Sequence, residues 1–251
     1  MKLTVLGSSA AFPAPGGAAS GYLLQHDGFN LCLDLGTGTL SPLQQHIGIG
    51  DIHGVVVSHA HWDHFLDLYP LFVARNWHET KLPPIEVIAP TGFEEFFLRL
   101  NDSDEGVQTM RTVFTFRDVD PGDPFEIGPF SVQTQLLPHW VRNMGTRFTA
   151  NGTTLAYTGD TGPSEEIAPL ARDADTLVAE ASWQVRPEGI DPFHLTAGEA
   201  GEHAARSGAG RLMLSHLWPG DDRDRSRELA AAAFDGDLVV AGEGLAIEVG
   251  A

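Results

Sequence analysis

The order of apolar and polar residues along the chain predicts many short strands with helices between them. The apolar runs, several rich in β-branched or aromatic residues, end at Gly, Pro, Asp or His, which is typical of strands. These runs are KLTVL, GYLLQH, NLCLDLG, GVVVSH, IEVIA, FSVQTQLLPH, TTLAYTGD, TLVAEASW, RLMLSH and LVVAGEGLAIEV. The stretches with helical composition are LSPLQQHI, HFLDLYPLFVARNWHE, GFEEFFLRL, SEEIAPLAR, TAGEAGEHAARS and RSRELAAAAF. Strands in two batches with interleaved helices predict a layered α/β fold, with sheets packed together beneath covering helices.

The whole chain, residues 1–251, is expected to form one domain. Its length and its 42% of hydrophobic residues allow a large core. The sequence contains no internal repeat, low-complexity tract or long linker that would divide it. Thr196 and Glu199 form a capping-box pair at the start of the fifth helical stretch, which supports that helix.

Acidic residues outnumber basic ones, with 34 Asp and Glu against 15 Lys and Arg and a formal net charge of -19 at pH 7. A surface this negative repels polyanions at long range, so extended nucleic-acid binding would need a local basic patch or a partner subunit. A solvated acidic surface that keeps the protein soluble explains the same charge. Neither interpretation restricts a small anionic substrate that is drawn to a metal centre.

The sequence predicts a cytoplasmic protein. The N-terminal stretch MKLTVLGSSAAF has one lysine and too short an apolar run for a signal peptide, and no segment approaches the roughly 18 apolar residues of a membrane span. The single cysteine, Cys32, has no partner for an internal disulfide and lies in the alternating run NLCLDLG. We therefore interpret Cys32 as a small buried hydrophobic residue rather than a nucleophile.

Polar residues with metal-binding or acid–base chemistry stand at the ends of several predicted strands. They are His59, His139, Asp160, Glu180 and His216. Loops at the C-terminal ends of strands are the usual place for function in a sheet-based fold. We therefore expect these side chains to converge on one site.

The segment SHAHWDH, residues 58–64, directly follows one of these strands and carries three histidines and an aspartate. His59 and His61 are two positions apart in an extended segment, so both imidazoles project to the same side. Asp63 and His64 follow at a predicted helix start, where the chain turns. Because the two pairs diverge toward neighbouring positions, the segment favours two adjacent metal ions of the Zn²⁺ type over one. The candidates for the remaining ligands are His139, Asp160 and His216.

With this segment the chain resembles the metallo-β-lactamase-fold hydrolases. The family motif H-x-H-x-D-H stands complete at residues 59–64, and matching positions follow in order over nearly the whole chain. The resemblance implies an αββα sandwich, in which two packed mixed sheets are covered by helices. It also implies that His139 completes a first metal site, that Asp160 bridges two metals and that His216 completes the second site. Asp34, in CLDLGTGT, would support the ligands through hydrogen bonds.

The resemblance further implies a cofactor of two divalent metal ions. The implied ligands are His59, His61, Asp63, His64, His139, Asp160 and His216. Zn²⁺ suits this set of imidazoles and carboxylates, and Mn²⁺ and Fe²⁺ remain alternatives because such sites accept them according to supply.

Two further residues narrow the implied reaction. Glu180 in VAEASW and His194 in FHLTAGEAG resemble the Glu and H-x-T elements of the ribonuclease Z branch and its cyclic nucleotide phosphodiesterase relatives. The resemblance implies that His194 donates a proton to the leaving oxygen and that Glu180 orients it. Asp63 would hold the metal-bridging hydroxide and accept its proton. The alternative is that His194 only packs against the site at the start of a helix.

The implied function is hydrolysis of small phosphodiesters such as cyclic nucleotides. Ribonuclease Z enzymes carry a long arm for transfer RNA between the third histidine and the bridging aspartate, but His139 and Asp160 are only 21 positions apart here. The N-terminal loop LGSSAAFPAPGGAAS also departs from the ribonuclease Z pattern.

The alternatives are RNA 3′-end processing, hydrolysis of a thioester, lactone or sulfate ester, and a non-catalytic metal or nucleotide sensor. A homodimer is implied by the resemblance alone.

Four of the five tryptophans stand beside these candidate residues. They are Trp62, Trp140, Trp183 and Trp218. Indole rings that face a cleft could stack on a nucleobase. Packing beneath the metal loops is the more ordinary role of such residues, and the sequence leaves both interpretations open.

Overall fold

The computed structural model describes residues 1–101 and 103–250. Within them, seven strands form a first sheet: β1 (Lys2–Gly7), β2 (Gly21–His26), β3 (Phe29–Leu35), β4 (Gly54–Val56), β5 (Ile85–Pro90), β6 (Phe114–Val119) and β14 (Ala246–Glu248). Their order is β14-β1-β2-β3-β4-β5-β6. Pairing is antiparallel from β14 to β3 and parallel from β3 to β6.

A second sheet has the same number of strands within the described residues: β7 (Phe125–Ile127), β8 (Phe130–Leu137), β9 (Asn143–Ala150), β10 (Thr153–Tyr157), β11 (Thr176–Glu180), β12 (Arg211–Ser215) and β13 (Asp237–Val240). Their order is β13-β12-β11-β10-β9-β8-β7. Pairing is parallel from β13 to β10 and antiparallel from β10 to β7. Each sheet is therefore mixed, with a parallel half and an antiparallel half.

The helices cover the outer faces of the two sheets. They are α1 (Leu40–Leu43), α2 (Trp62–Phe65), α3 (Leu68–Asn76), α4 (Phe93–Leu98), α5 (Asp104–Val113), α6 (Ile167–Leu170), α7 (Ala197–Ser207) and α8 (Arg223–Ala231), with a 3₁₀ turn at Ile49–Asp51. Helices α1 to α5 pack on the first sheet, and α6 to α8 pack on the second. A third core, which includes Leu33, Phe130 and Met213, fills the space between the sheets. The predicted αββα sandwich is confirmed.

The pattern of apolar residues follows from this layering. Strands in the middle of the sheets, such as β11, are buried along their whole length because both faces are covered. Strand β8 lies nearer an edge and alternates, with Phe130 and Val132 buried between exposed polar residues. Helix α7 begins with the predicted capping box, in which Thr196 Oγ1 accepts from Glu199 N at 3.2 Å and Glu199 Oε2 accepts from Thr196 N at 2.7 Å.

Several elements were not predicted from the sequence or differ from the prediction. Helix α5 and strands β6, β7 and β9 fall in segments for which we predicted no element. The helical stretch at residues 64–79 is two helices, α2 and α3, because Asp67 between them turns inward and accepts hydrogen bonds from Gly38 N and Leu40 N. No helix in the described part of the chain is long and apolar enough to cross a membrane.

Candidate metal centre

The predicted ligands lie where strands of both sheets end. His59 follows β4, while His61, Asp63 and His64 lie at the start of α2 or within it. His139, Asp160 and His216 follow β8, β10 and β12. The loop after β3 passes so close that a Cβ on Gly36 would lie 1.8 Å from the Asp63 carbonyl oxygen, which only glycine permits. The fold thus brings seven dispersed side chains to one end of the sandwich.

Three histidines and one aspartate form what we call the first ligand set: His59, His61, His139 and Asp160. His61 Nδ1 lies 3.0 Å from both His59 Nε2 and His139 Nε2. Asp160 Oδ2 lies 3.7 Å from His59 Nε2 and 3.8 Å from His139 Nε2. Ligand atoms about 2.1 Å from one tetrahedral ion lie roughly 3.4 Å apart, so these atoms fit a common Zn²⁺-sized ion.

The second ligand set consists of Asp63, His64, Asp160 and His216. Asp63 Oδ2 lies 3.2 Å from His216 Nε2 and 3.5 Å from His64 Nε2. Asp160 belongs to both sets, because its Oδ1 lies 3.3 Å from His64 Nε2. Within residues 1–101 and 103–250, the buried atoms His64 Nε2 and Asp160 Oδ1 have no hydrogen-bond partner. Buried polar atoms are seldom left unpaired, and a metal ion would satisfy both.

Hydrogen bonds from outside the sets orient the ligand histidines. His64 Nδ1 donates to Asp34 Oδ2 at 2.7 Å, so Nε2 is the nitrogen that faces the site. Asp34 also accepts from Ser58 N, Ser58 Oγ and Tyr157 OH at 2.7, 2.8 and 2.6 Å. His139 Nδ1 donates to the Phe193 carbonyl oxygen at 3.0 Å. Such contacts fix the tautomer and ring orientation of a metal-binding histidine.

The surroundings also set the charge of the ligands. Burial lowers the pKa of His59 and His61 and lowers the pKa of His139 to about 4, so these imidazoles stay neutral and keep a lone pair for a metal. Burial opposes ionisation of Asp63 and Asp160, but their interactions with His64 and His216 outweigh it and hold the pKa of both carboxyls below the usual range.

Glu180 and His194 form a pair beside the two sets. His194 Nδ1 donates to Glu180 Oε1 at 2.9 Å and lies 3.9 Å from Asp160 Oδ2. Burial alone would lower the pKa of His194, but the Glu180 charge and hydrogen bond raise it to about 9. Glu180 is buried and also accepts from Thr161 N at 2.6 Å. With Nδ1 engaged, Nε2 is the nitrogen of His194 that can donate to a bound molecule.

Three hydroxyl groups that no sequence pattern indicated belong to this centre. Ser58 and Tyr157 contact Asp34, and Ser182 Oγ lies 2.6 Å from Glu180 Oε2 and 2.9 Å from His216 Nδ1. In the sequence, only closeness to a candidate residue could have pointed to the serines: Ser58 precedes His59, and Ser182 follows Glu180 by two residues. Position of this kind does not distinguish them from ordinary Ser and Tyr residues.

Comparison with known proteins assigns the family. Residues 30–217 match the family model described as a beta-lactamase superfamily domain. The chain belongs to the beta-lactamase superfamily. The probable metallo-hydrolase YhfI of Bacillus subtilis, a superfamily relative, is 31% identical over 99% of this chain and 100% of its own. The crystal structure of YhfI aligns with a TM-score of 0.87 over 98% of each chain, at 29% identity.

Two further relatives of this superfamily protein extend over nearly its whole length. An uncharacterized protein of Mycobacterium leprae is 36% identical over 97% of this chain and 87% of its own. The ribonuclease Z of Thermobifida fusca is 28% identical over 99% of this chain and 94% of its own. The resemblance that SHAHWDH indicated is confirmed: the chain is a metallo-hydrolase of the superfamily. Membership implies divalent metal, and the two clusters of His and Asp lie close enough together to hold metal ions.

Proposed function

We propose that this protein hydrolyses small phosphodiesters such as 3′,5′-cyclic nucleotides. The observation that carries the proposal is the His194–Glu180 pair, whose 2.9 Å hydrogen bond lies next to Asp160, the aspartate common to both ligand sets. An alkoxide leaves phosphorus slowly unless it is protonated as the bond breaks. A histidine oriented by a carboxylate and placed beside the metal ligands suits that requirement.

Each of the chain's own residues then has a defined part. His194 donates a proton from Nε2 to the leaving oxygen, and Glu180 holds Nδ1 and so orients the ring. Asp63, whose Oδ2 also accepts from Ala11 N at 3.0 Å, takes up the proton of the attacking water. Divalent cations in the two ligand sets would supply hydroxide near neutral pH and positive charge beside the phosphoryl oxygens.

Three features support a small substrate. The chain between His139 and Asp160 consists mainly of the hairpin β9–β10, which belongs to the second sheet. Arg142 is paired with Asp120 at 2.6 Å, and Arg147 NH1 donates to the carbonyl oxygens of residues 170 and 172, so a polyanion would have to compete with partners that both guanidinium groups already have. The net charge of -19 opposes RNA binding at long range.

The test compares two substrates with different leaving groups. In His194→Ala, kcat/KM for 3′,5′-cyclic AMP should fall about 10²- to 10⁴-fold, the usual contribution of a general acid. Activity on bis(p-nitrophenyl) phosphate should change far less, because p-nitrophenolate is a stable anion that needs no proton. His78→Ala, at an exposed position away from the site, is the control. Equal loss on both substrates, or full activity on cyclic AMP, would remove His194 from the proposed role.

A second candidate is RNA 3′-end processing. The observation in its favour is the 28% identity to Thermobifida fusca ribonuclease Z across nearly the whole chain. Side-by-side assays of the wild-type protein on cyclic AMP and on precursor transfer RNA separate the two functions. We expect turnover of cyclic AMP. Cleavage of the precursor without turnover of cyclic AMP would instead favour RNA 3′-end processing over the phosphodiesterase function.

We further propose that the seven ligands hold two Zn²⁺ ions per chain. Imidazoles and carboxylates with a shared aspartate suit Zn²⁺, and the donors of each set lie within 4.8 Å of one another. Elemental analysis of the purified protein should give two zinc atoms per chain. Asp160→Asn should lower that number, because the residue serves both sets, whereas Asp118→Asn on β6 should not. If the purified protein contained stoichiometric manganese or iron instead, the proposal of Zn²⁺ would be wrong.

A further inference from the structure

Trp140 stands at the edge of the metal centre with much of its indole exposed. It follows His139 directly, and 58% of its surface is accessible. Its ring centroid lies 5.3 Å from that of His139, 5.4 Å from that of His194 and 5.2 Å from that of Phe193. These contacts hold the indole in place while leaving it open to solvent. A flat group bound there would meet a preorganised aromatic surface.

The other tryptophans near the site have different surroundings. Trp183 stacks on Trp218 with centroids 5.0 Å apart, and Phe12 packs edge-on to Trp218 at 5.8 Å. Trp62 lines a separate apolar hollow of about 400 Å³ with Phe96. Among the described residues, Trp140 is the tryptophan whose ring lies near two ligands of the first set, His61 and His139, and also near His194.

This placement puts Trp140 on the leaving-group side of the site. His194 donates to the leaving oxygen in the proposed function, so that oxygen must approach an imidazole whose centroid is 5.4 Å from the indole. In a cyclic nucleotide the leaving 3′ oxygen and the base belong to the same ribose. The base is therefore carried toward the Trp140 side when the oxygen meets His194.

We propose that Trp140 is the platform on which the base of the leaving nucleoside stacks, so that the site selects phosphodiesters whose leaving group carries a nucleobase. This inference rests on the proposed phosphodiesterase function and adds its specificity. Stacking on an indole accepts every base, because each base has a π face. Cyclic AMP and cyclic GMP should accordingly be comparable substrates, and both should exceed phosphodiesters with aliphatic leaving groups.

The experiment compares cyclic AMP with methyl riboside 3′,5′-cyclic phosphate, which has the same ring phosphodiester and leaving oxygen but no base. In Trp140→Ala, kcat/KM for cyclic AMP should fall roughly 5- to 150-fold, the range for losing one base–aromatic stack, and mainly through KM. The base-free compound should be hydrolysed as well by the variant as by the wild type. Trp140→Phe should restore most of the cyclic AMP activity. Trp77→Ala, at an 80% exposed position, is the matched control.

The outcomes separate this inference from the function on which it rests. Equal losses on both compounds would mean that Trp140 only positions His139 or His194, and this would overturn the platform. Unchanged cyclic AMP kinetics in Trp140→Ala would overturn it as well. A wild-type protein that turns over neither compound would overturn the proposed phosphodiesterase function, and the platform with it. A loss confined to cyclic AMP and reversed by phenylalanine supports it.

Discussion

One hydroxyl group, that of Ser182, links the second ligand set to the proposed proton donor. Its Oγ lies 2.6 Å from Glu180 Oε2, 2.9 Å from His216 Nδ1 and 3.2 Å from His194 Nδ1. A serine hydroxyl has one proton and two lone pairs. Donation to the Glu180 carboxylate leaves the oxygen free to accept from His216 Nδ1, which directs His216 Nε2 toward Asp63 and Asp160.

Replacing Ser182 by alanine should therefore weaken the centre without removing a ligand. The His216 ring loses the acceptor that fixes its tautomer, and such losses lower metal affinity or activity about 10- to 100-fold. Competition with a chromophoric chelator measures the affinity, and kcat on bis(p-nitrophenyl) phosphate measures the activity. Ser182→Thr keeps the hydroxyl and should stay near wild type. If Ser182→Ala binds metal and turns over like the wild type, Ser182 has no positioning role.

Cys32 provides a second prediction at the scale of one residue. The side chain lies on β3 and is fully buried, and burial raises the pKa of its thiol to about 12. The thiolate that reacts with disulfide reagents is therefore scarce and inaccessible at pH 8. Ellman's reagent should label less than a tenth of the native protein in an hour and one thiol per chain in guanidinium chloride. Rapid stoichiometric labelling of the native protein would contradict this.

The site residues that could be predicted from the sequence are those with metal-binding side chains. Histidines and aspartates at the ends of apolar runs could be named as candidate ligands, and the structure brings each of those we named to one centre. The supporting hydroxyls could not be found in this way. Tyr157 donates to Asp34, 123 positions earlier, and nothing local to Tyr157 indicates that partner. Contacts of this kind depend on how the two sheets meet, which short patterns do not contain.

At the scale of elements, the sequence predicted the strands that contain a clear apolar run. It did not predict strands that form because adjacent strands pair with them. β9 contains Gly145 and Arg147 and has no β-branched aliphatic residue, and it forms because β8 and β10 pair with it on both sides. The run LVVAGEGLAIEV was predicted as one strand, but it forms β13 in the second sheet and β14 in the first. Gly244, with φ +80°, lies in the connection between them. Sheet membership is a tertiary property that the run alone does not encode.

Helix α7 carries a buried histidine whose protonation should affect stability. His203 is 5% exposed; burial, together with the charge of Arg206, lowers its pKa below the ordinary value, and the carboxylates of Glu199, Glu165 and Glu202 oppose this shift. The unfolded chain therefore binds this proton more readily than the folded one. By linkage, the contribution of His203 makes stability fall as pH drops through the ordinary histidine pKa of about 6.5.

Replacing His203 by leucine removes this contribution. Melting temperatures measured at pH 7.5 and pH 5.5 should fall less on acidification in the variant than in the wild type. His78→Leu, at an exposed position, should keep the wild-type difference between the two pH values. A parallel decline in wild type and His203→Leu would show that His203 does not couple folding to pH.

At the scale of the whole molecule, the candidate metal centre joins the two sheets. His59 follows a strand of the first sheet, and Asp63 and His64 lie on α2, which packs on that sheet. His139, Asp160 and His216 follow strands of the second sheet. Each ligand set therefore takes donors from both halves of the sandwich. The layered fold could be predicted from the order of strands and helices. The assignment of these strand ends to shared ligand sets came only from the family resemblance, because the order alone does not say which strand ends face one another.

Removing the metal should accordingly destabilise the entire sandwich rather than one loop. Ions that bind the folded chain alone stabilise it by RT ln(1 + [M]/Kd), about 4 kcal/mol at a thousandfold excess over Kd. For a chain of this size that corresponds to roughly 8–16 °C in Tm for each ion, or about 16–32 °C for two. Dialysis against EDTA followed by calorimetry should show one transition lowered by about the amount for two ions and restored by Zn²⁺. Asp160→Asn should melt near the metal-free wild type and respond weakly to EDTA. The replaced carboxylate follows a strand of the second sheet and serves both ligand sets. An unchanged wild-type Tm after verified metal removal would mean that the centre does not hold the two halves together.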